Sequence, residues 1–230
     1  MISLGHRIKD YREARGLSQQ DIADVLKMSR PTYNAIESGK REPTLSELRV
    51  IAGSLGMALE ELLFNSQQAA QNRDMIAKFK EVILNCLQYG SDEHDRKLTK
   101  TKLAKLVYLS DFAYYSKTGR PMTGLSYRHI PQGPVSDTYF RIIDELFENG
   151  AITIEQRGTA MMIHANEVAP QSLLSEEERD LIISICEKWQ QRPTQEIVEF
   201  THRQIPWKTS RQEDIIPYEL IKQEAPGYVY

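Results

Sequence analysis

The stretch from Ser18 to Gly39, SQQDIADVLKMSRPTYNAIESG, specifies a helix, a tight turn and a second helix in close succession. Ser18 precedes an amphipathic run and has Asp21 three residues on, a serine and carboxylate pair that satisfies the free backbone N–H groups where a helix begins. The first helix therefore runs from Gln19 to about Leu26, with Ile22, Ala23 and Leu26 on its core side and Gln19, Gln20 and Asp24 on its free side. Lys27-Met28 fits the short turn. Ser29 then caps a second helix, whose first turn tolerates Pro31 because an N–H there has no intrahelical partner. Tyr33 or Ile36 can pack inward while Arg30, Thr32, Asn34 and Ala35 face out, until Gly39 supplies the left-handed conformation that ends a helix. A helix-turn-helix of this kind presents the outward residues to a DNA major groove. Arg30 suits bidentate contact to guanine, Thr32 and Asn34 suit neighbouring base edges, and Gln19, Lys40 and Arg41 suit phosphates.

Around this motif a five-helix bundle is predicted over residues 1–65. Leu4 to Glu13 makes the first helix, with Leu4, Ile8 and Tyr11 inward and Gly16 as its stop. Thr44 with Glu47 makes a second capping box for a helix striped by Leu45, Leu48, Ile51 and Ala52, and Leu59, Leu62, Leu63 and Phe64 read as a fifth helix. The bundle is expected to end near Asn65. Its charges balance, nine Lys and Arg against nine Asp and Glu, within a chain of net charge -3. Affinity for DNA comes chiefly from neutralised phosphates, so a neutral headpiece predicts a homodimer or higher oligomer on a double-stranded inverted repeat.

At 230 residues the chain is long enough for a second, larger domain. Ser66 to Arg73, SQQAAQNR, has the composition of a linker or exposed helical extension. It leads into a helix over Asp74–Gln88 with a broad apolar face of Ile76, Phe79, Val82, Ile83, Cys86 and Leu87. That face suits a dimer seam or packing onto the second domain. Residues 66–97 thus form a linker and connecting helix, with GSDEHDRK as a charged surface loop. Thr99 caps an apolar helix carrying Leu103, Leu106, Val107, Leu109, Phe112 and Ala113, central to a domain over residues 98–210. Tyr127 to Ile130 alternates like a short strand, PQGPV bends, and a helix follows from about Ser136 to Glu148. Ile152, Ile154, Met162 and His164 lie in two alternating runs around RGT, a β-hairpin pattern. Ser175 with Glu178 caps a helix containing Leu181, Ile182, Ile185, Cys186 and Trp189, and Thr194 opens another ending near His202. Residues 211–230 are expected to be a partly ordered surface tail. The fold class predicted is mainly α, a five-helix bundle plus a larger mostly helical domain with a small antiparallel β-sheet.

Catalysis finds no foothold in these residues. No GxSxG elbow or phosphate-cradling glycine loop accompanies Ser110-Asp111, and His129, His164 and His202 lie on separate elements without HxxxH or HExxH spacing, so no metal and no cofactor is expected. Cys86 and Cys186, in separate apolar patterns, are expected to be buried free thiols. No apolar run approaches membrane-spanning length and the N-terminus enters a charged helix directly, so a cytoplasmic protein that does not use a membrane is expected.

RxxRG at Arg12 to Gly16, LSQQDIA at Leu17 to Ala23, IESGKREP at Ile36 to Pro43 and LGMALEELL at Leu55 to Leu63 resemble the Cro and phage-repressor (XRE) helix-turn-helix family. That resemblance implies a structural ion pair between Arg12 and Glu37. The second half resembles the Panacea, or SocA-like, antitoxin domain over roughly Leu98 to Lys208, through KLVYLSDFAYYSKTGRPMTG, YRHIPQGPVSDTY, LSEEERDLI and FTHRQIPW. Lys105 and Tyr108 match the lysine and tyrosine of its first helix, and Gln132 stands where the family usually has another residue before Gly-Pro-Val. The resemblance implies an antitoxin that binds a cognate protein toxin directly while the helix-turn-helix represses its operon. The alternatives are a prophage-type repressor whose C-terminal domain dimerises or senses a signal, and a proteolytic adaptor for a toxin. Tyr127, Arg128, Gln132 and Tyr139, around the proposed turn, are the candidate toxin-interface anchors. His202 and Trp207 read as a cap and plug of the domain's final helix, with direct toxin contact as the alternative.

Overall fold

The computed structural model describes residues 3–64, 66–92 and 94–230, with only the backbone of 66–70 included. Asn65, the expected end of the bundle, and Glu93, within the expected charged loop, lie outside the described residues. The chain divides into two compact units, residues 1–73 and 74–230.

In the first unit α1 (Leu4–Ala14), α2 (Gln19–Val25), α3 (Arg30–Glu37), α4 (Leu45–Ser54) and α5 (Leu59–Leu63) enclose one core. Ile8, Ile22, Tyr33, Ile36, Ile51 and Leu62 are essentially inaccessible there. The helix starts follow from local chemistry. Ser18 and Asp21 form a reciprocal capping box, as do Thr44 and Glu47, and Ser29 accepts from the Thr32 amide. The turn between α2 and α3 is set by Lys27, a non-glycine residue at φ 53°. Leu45 and Phe64, expected in the core, are exposed; they lie at a helix start and just past a helix end, where one side always faces water.

The second unit is built around α7 (Lys100–Thr118), whose residues from Lys102 to Ala113 are all buried. A helix buried on every side has no amphipathic stripe, and its polar members must find partners inside the protein. Lys102 Nζ donates to the carbonyls of Gln190 and Arg192, at the negative end of α9 (Glu176–Gln190). The apolar face of α6 (Ser66–Gly90) supplies Phe79, Val82, Ile83, Cys86 and Leu87 to this same core. That corrects one of the two uses expected of it, because a face buried from Phe79 to Leu87, with Ile76 half-buried at its start, is not available as a dimer seam.

A three-stranded antiparallel sheet has the order β1-β5-β4. β4 (Ile152–Arg157) and β5 (Ala160–Ala165) form the hairpin, and β1 (Leu98–Thr99), which no periodicity announced, pairs with Ile163 and Met162. A separate ribbon joins β2 (Tyr127–Ile130) to β3 (Gly133–Ser136) through a two-residue turn at Pro131-Gln132. Here the sequence expectation needs correction: PQGPV is a turn plus a strand, and α8 starts later, at Tyr139, and runs to Glu148. Glycine and proline signal a turn in one dimension, but Gly133 at φ 95° closes a hairpin and Pro134 continues it.

The chain then closes through α10 (Thr194–Arg203) and α11 (Ile205–Thr209). Residues 211–230 are not a surface tail. Ile216, Ile221 and Val229 are buried, Ile215 bridges Arg128 of the ribbon, and Gln204 Nε2 donates to the carbonyls of Tyr228 and Val229 at 2.8 and 2.9 Å. Cys86 and Cys186 are both free and buried. No helix among the described residues is long and apolar enough to cross a membrane.

Candidate functional sites

In the first unit, the exposed face of α3 is held by a polar chain that starts in the core. Arg12 on α1 grips Glu37 at the end of α3 with two bonds, Nε to Oε1 at 2.6 Å and Nη2 to Oε2 at 3.0 Å, and its Nη1 donates to the Leu17 carbonyl at 2.7 Å. Both side chains are buried. Burial pushes the Glu37 carboxyl upward, but the bonds from Arg12 and Gln19 outweigh it and leave the group below its ordinary range. Gln19 Nε2 donates to Glu37 Oε2 at 2.9 Å and to Asn34 Oδ1 at 3.1 Å, and its Oε1 accepts from Arg30 Nε at 3.3 Å. The buried ion pair thus orients Gln19, which in turn contacts two of the candidate base-reading residues. Arg30, Asn34 and Lys40 are exposed, with Thr32 half-buried. Arg41 is less free than expected, since Nη2 is engaged by Glu47 at 2.7 Å.

A residue that sequence reasoning missed makes this arrangement possible. A Cβ on Gly5 would lie 2.4 Å from the Ile36 carbonyl oxygen and 2.6 Å from that of Glu37, so only glycine lets α1 approach the end of α3 this closely. The signal was a glycine inside a helical pattern.

In the second unit, two of the four expected anchors are core. Tyr127 and Tyr139 are each 1% exposed; their hydroxyls donate to Asp111 Oδ2 at 3.1 Å and to the Lys100 carbonyl at 2.7 Å. Alternation places a strand residue on one face or the other without saying which face is wet, and here the tyrosine faces are dry. Arg128 is half-buried and committed to Asp137 at 2.5 Å and the Glu213 carbonyl at 2.9 Å. Gln132, at the ribbon's tip, is exposed.

Gln132 borders a groove of 580 Å³ between the start of α7, the ribbon, α8 and the hairpin tip. Phe140 and Met161 line it while remaining 48% and 42% exposed, and Ile130, Ala104 and Val135 extend its apolar wall. Lys105, itself buried, belongs to its lining, and Nζ donates to the Pro134 carbonyl at 2.9 Å. Desolvation lowers the Lys105 ammonium to about 7. A Cβ on Gly133 would strike Lys105 Nζ and His202 Nε2, both within 3.0 Å, so the glycine makes room for these two nitrogens. His129 and His202, expected on separate elements, converge on Trp207, each stacked 4.1 Å from it. Spacing alone does not reveal that meeting because the two histidines are far apart in the chain.

Residues 103–208 match the family described as antitoxin SocA-like, Panacea domain, and residues 8–62 match the helix-turn-helix family. The chain is 32% identical to the immunity repressor protein of Bacillus phage phi105, over 35% of this chain and 62% of that protein. It is 41% identical to the SPbeta prophage-derived HTH-type transcriptional regulator YonR of Bacillus subtilis, over 26% of this chain and 55% of the relative. It therefore spans little more than half the length of these two relatives. It is also 39% identical to the control protein C.MunI of Mycoplasma sp, over 26% of this chain and 84% of that protein. No solved structure matches the chain significantly.

Proposed function

Since the chain belongs to the XRE-type helix-turn-helix regulators and carries a Panacea antitoxin domain, we propose that it is an antitoxin that neutralises a protein toxin by direct binding and represses its own operon. The N-terminal domain, residues 1–65, binds an inverted repeat as a dimer, and residues 98–210 bind the toxin, with residues 66–97 connecting them. The observation that carries the repressor half is the exposed pair Arg30 and Asn34, with half-buried Thr32 between them, the pair oriented through Gln19 by a buried ion pair. The antitoxin half rests on the family match and on Gln132 beside an open apolar groove.

Expression of the product of the adjacent reading frame, alone and with this chain, tests the proposal. Growth arrest relieved by the chain supports it, as does a footprint on the shared promoter covering two half-sites about one DNA turn apart. A fragment used to separate the activities must begin near Asp74, because one starting at Leu98 would lose the side chains that α6 places in the core. A second reading, a prophage-type repressor without a toxin, is favoured by the relatives named as phage immunity repressor and prophage regulator. It predicts repression by the chain and no rescue.

A further inference from the structure

The edge of β5 is only partly used. β1 pairs with Ile163 and Met162 and stops where α7 begins at Lys100, so among the described residues Ala160 and Met161 have no strand beside them on that side. This open edge faces the groove lined by Phe140, Met161 and Gln132. Among the described residues two lysines belong to the same lining, Lys100 and Lys105, and no carboxylate does. Lys100 Nζ lies 5.3 Å from the centre of the Phe140 ring, and the buried Lys105 Nζ donates to the Pro134 carbonyl. Among the described residues neither lysine forms an ion pair. A half-buried ammonium without an anionic partner, as at Lys100, has unused donor capacity, and a carboxylate is the group that best fills it.

We propose that this groove docks an extended acidic segment of the partner protein, laid along the free edge of β5, with an apolar side chain between Phe140 and Met161 and a carboxylate on Lys100. Backbone pairing gives such a site its grip, and the alternating side chains give it selectivity. The occupant follows from charge complementarity, for a chain that is negative overall presents here a lining whose only charges are positive. The proposal deepens the antitoxin reading and rests on it.

The test uses the full chain and the product of the adjacent reading frame, with binding measured by titration calorimetry and growth rescue scored in parallel. Three exposed or half-buried positions are changed singly, Phe140→Glu, Met161→Asp and Lys100→Glu, with thermal unfolding as the check on folding. Each folded variant is expected to lose at least tenfold in affinity. Overlapping peptides from the partner should include one whose binding is lost when its acidic residue becomes lysine. Full affinity in all three variants would overturn the groove while leaving the antitoxin reading intact. If the unaltered chain binds nothing from the adjacent frame, both fall together. Displacement of the partner by hexanoate, with no partner peptide binding, would make the groove a site for small organic acids and would likewise overturn the proposal.

Discussion

Tyr218, near the C-terminus, donates its hydroxyl to Asp111 in the middle of α7 at 2.9 Å, and its ring stacks on Phe112 with centroids 4.5 Å apart. Asp111 is inaccessible to solvent and also accepts from the amides of Met122 and Thr123, the Thr123 hydroxyl and Tyr127. One carboxylate therefore ties together the central helix, the loop after it, the ribbon and the last segment of the chain. Tyr218→Phe keeps the ring and removes a hydroxyl that lies within hydrogen-bond reach of both Asp111 and the Leu125 carbonyl, for an expected loss of about 1 kcal/mol. Asp111→Ala strands several buried donors and is expected to cost about 3 to 5 kcal/mol. Urea unfolding of the full chain measures both. Were these residues a surface tail, the tyrosine change would stay within about 0.5 kcal/mol.

That network explains what the sequence could and could not disclose. Helix starts were legible because Ser18, Ser29, Thr44, Thr99 and Ser175 act on amides three residues away. The core of the first unit was legible for the same local reason, a repeating stripe. Tyr218 was not, because its partner lies 107 residues earlier and a polar tail with three Pro and Gly residues looks like surface. Tyr127 and Tyr139 failed as interface anchors for a related reason: aromatic residues serve cores and interfaces alike, and only the third dimension assigns them. The groove was only half visible. Gln132 was found through its turn, whereas Phe140 and Met161 come from separate elements that no spacing connects.

The Arg12–Glu37 pair carries a pH prediction for the first unit. The folded Glu37 carboxyl lies below its ordinary range, so its contribution is fully present above the unfolded-state value and is lost as the pH falls through the folded one. Acid unfolding of the first unit should therefore begin below the ordinary glutamate range. Arg12→Met leaves Glu37 buried without its partner and is expected to cost about 3 to 5 kcal/mol at neutral pH. The double variant Arg12→Met with Glu37→Leu should recover most of that loss, because two apolar side chains leave no charge to desolvate. A double variant no more stable than the single one would show that Glu37 is not the group being stranded.

Lys105 predicts a pH dependence of the same sign for the second unit, in a higher window. Its folded-state value is about 7, far below that of a lysine in an unfolded chain. From about pH 7 up to the ordinary lysine range the unfolded chain binds the extra proton, so stability rises with pH across that window. Below pH 7 the penalty of the buried ammonium is fully present. Lys105→Met has similar length and no charge; it should be stabilising relative to the native chain at pH 6, with the advantage shrinking by pH 9. Unfolding midpoints at both pH values check this, and an unchanged pH dependence in the variant would mean that the ammonium is better solvated than its surroundings indicate.

The DNA-reading face yields the most specific expectation, because the structure separates residues that point freely from residues already engaged. Arg30 stands exposed at the tip of α3, and among the described residues its only side-chain bond is the 3.3 Å contact from Nε to Gln19, which leaves its terminal nitrogens for a base. Arg30→Ala should therefore cost roughly 1 to 3 kcal/mol on the operator and relax preference at one base pair of each half-site. Gln19→Ala removes the support behind Arg30 and Asn34 without removing either reader, so a smaller loss at the same positions is expected. Lys40 is exposed and suits a phosphate; Lys40→Ala should weaken all sequences alike and reduce the salt slope by about 1. Arg41→Ala should lower affinity less than Lys40→Ala, since Glu47 already holds the Arg41 guanidinium at 2.7 Å and replaces part of what a phosphate would offer. Anisotropy titrations over a salt series, run on the operator and on half-site variants, resolve all four. Unchanged operator affinity for Arg30→Ala would remove α3 as the reading helix.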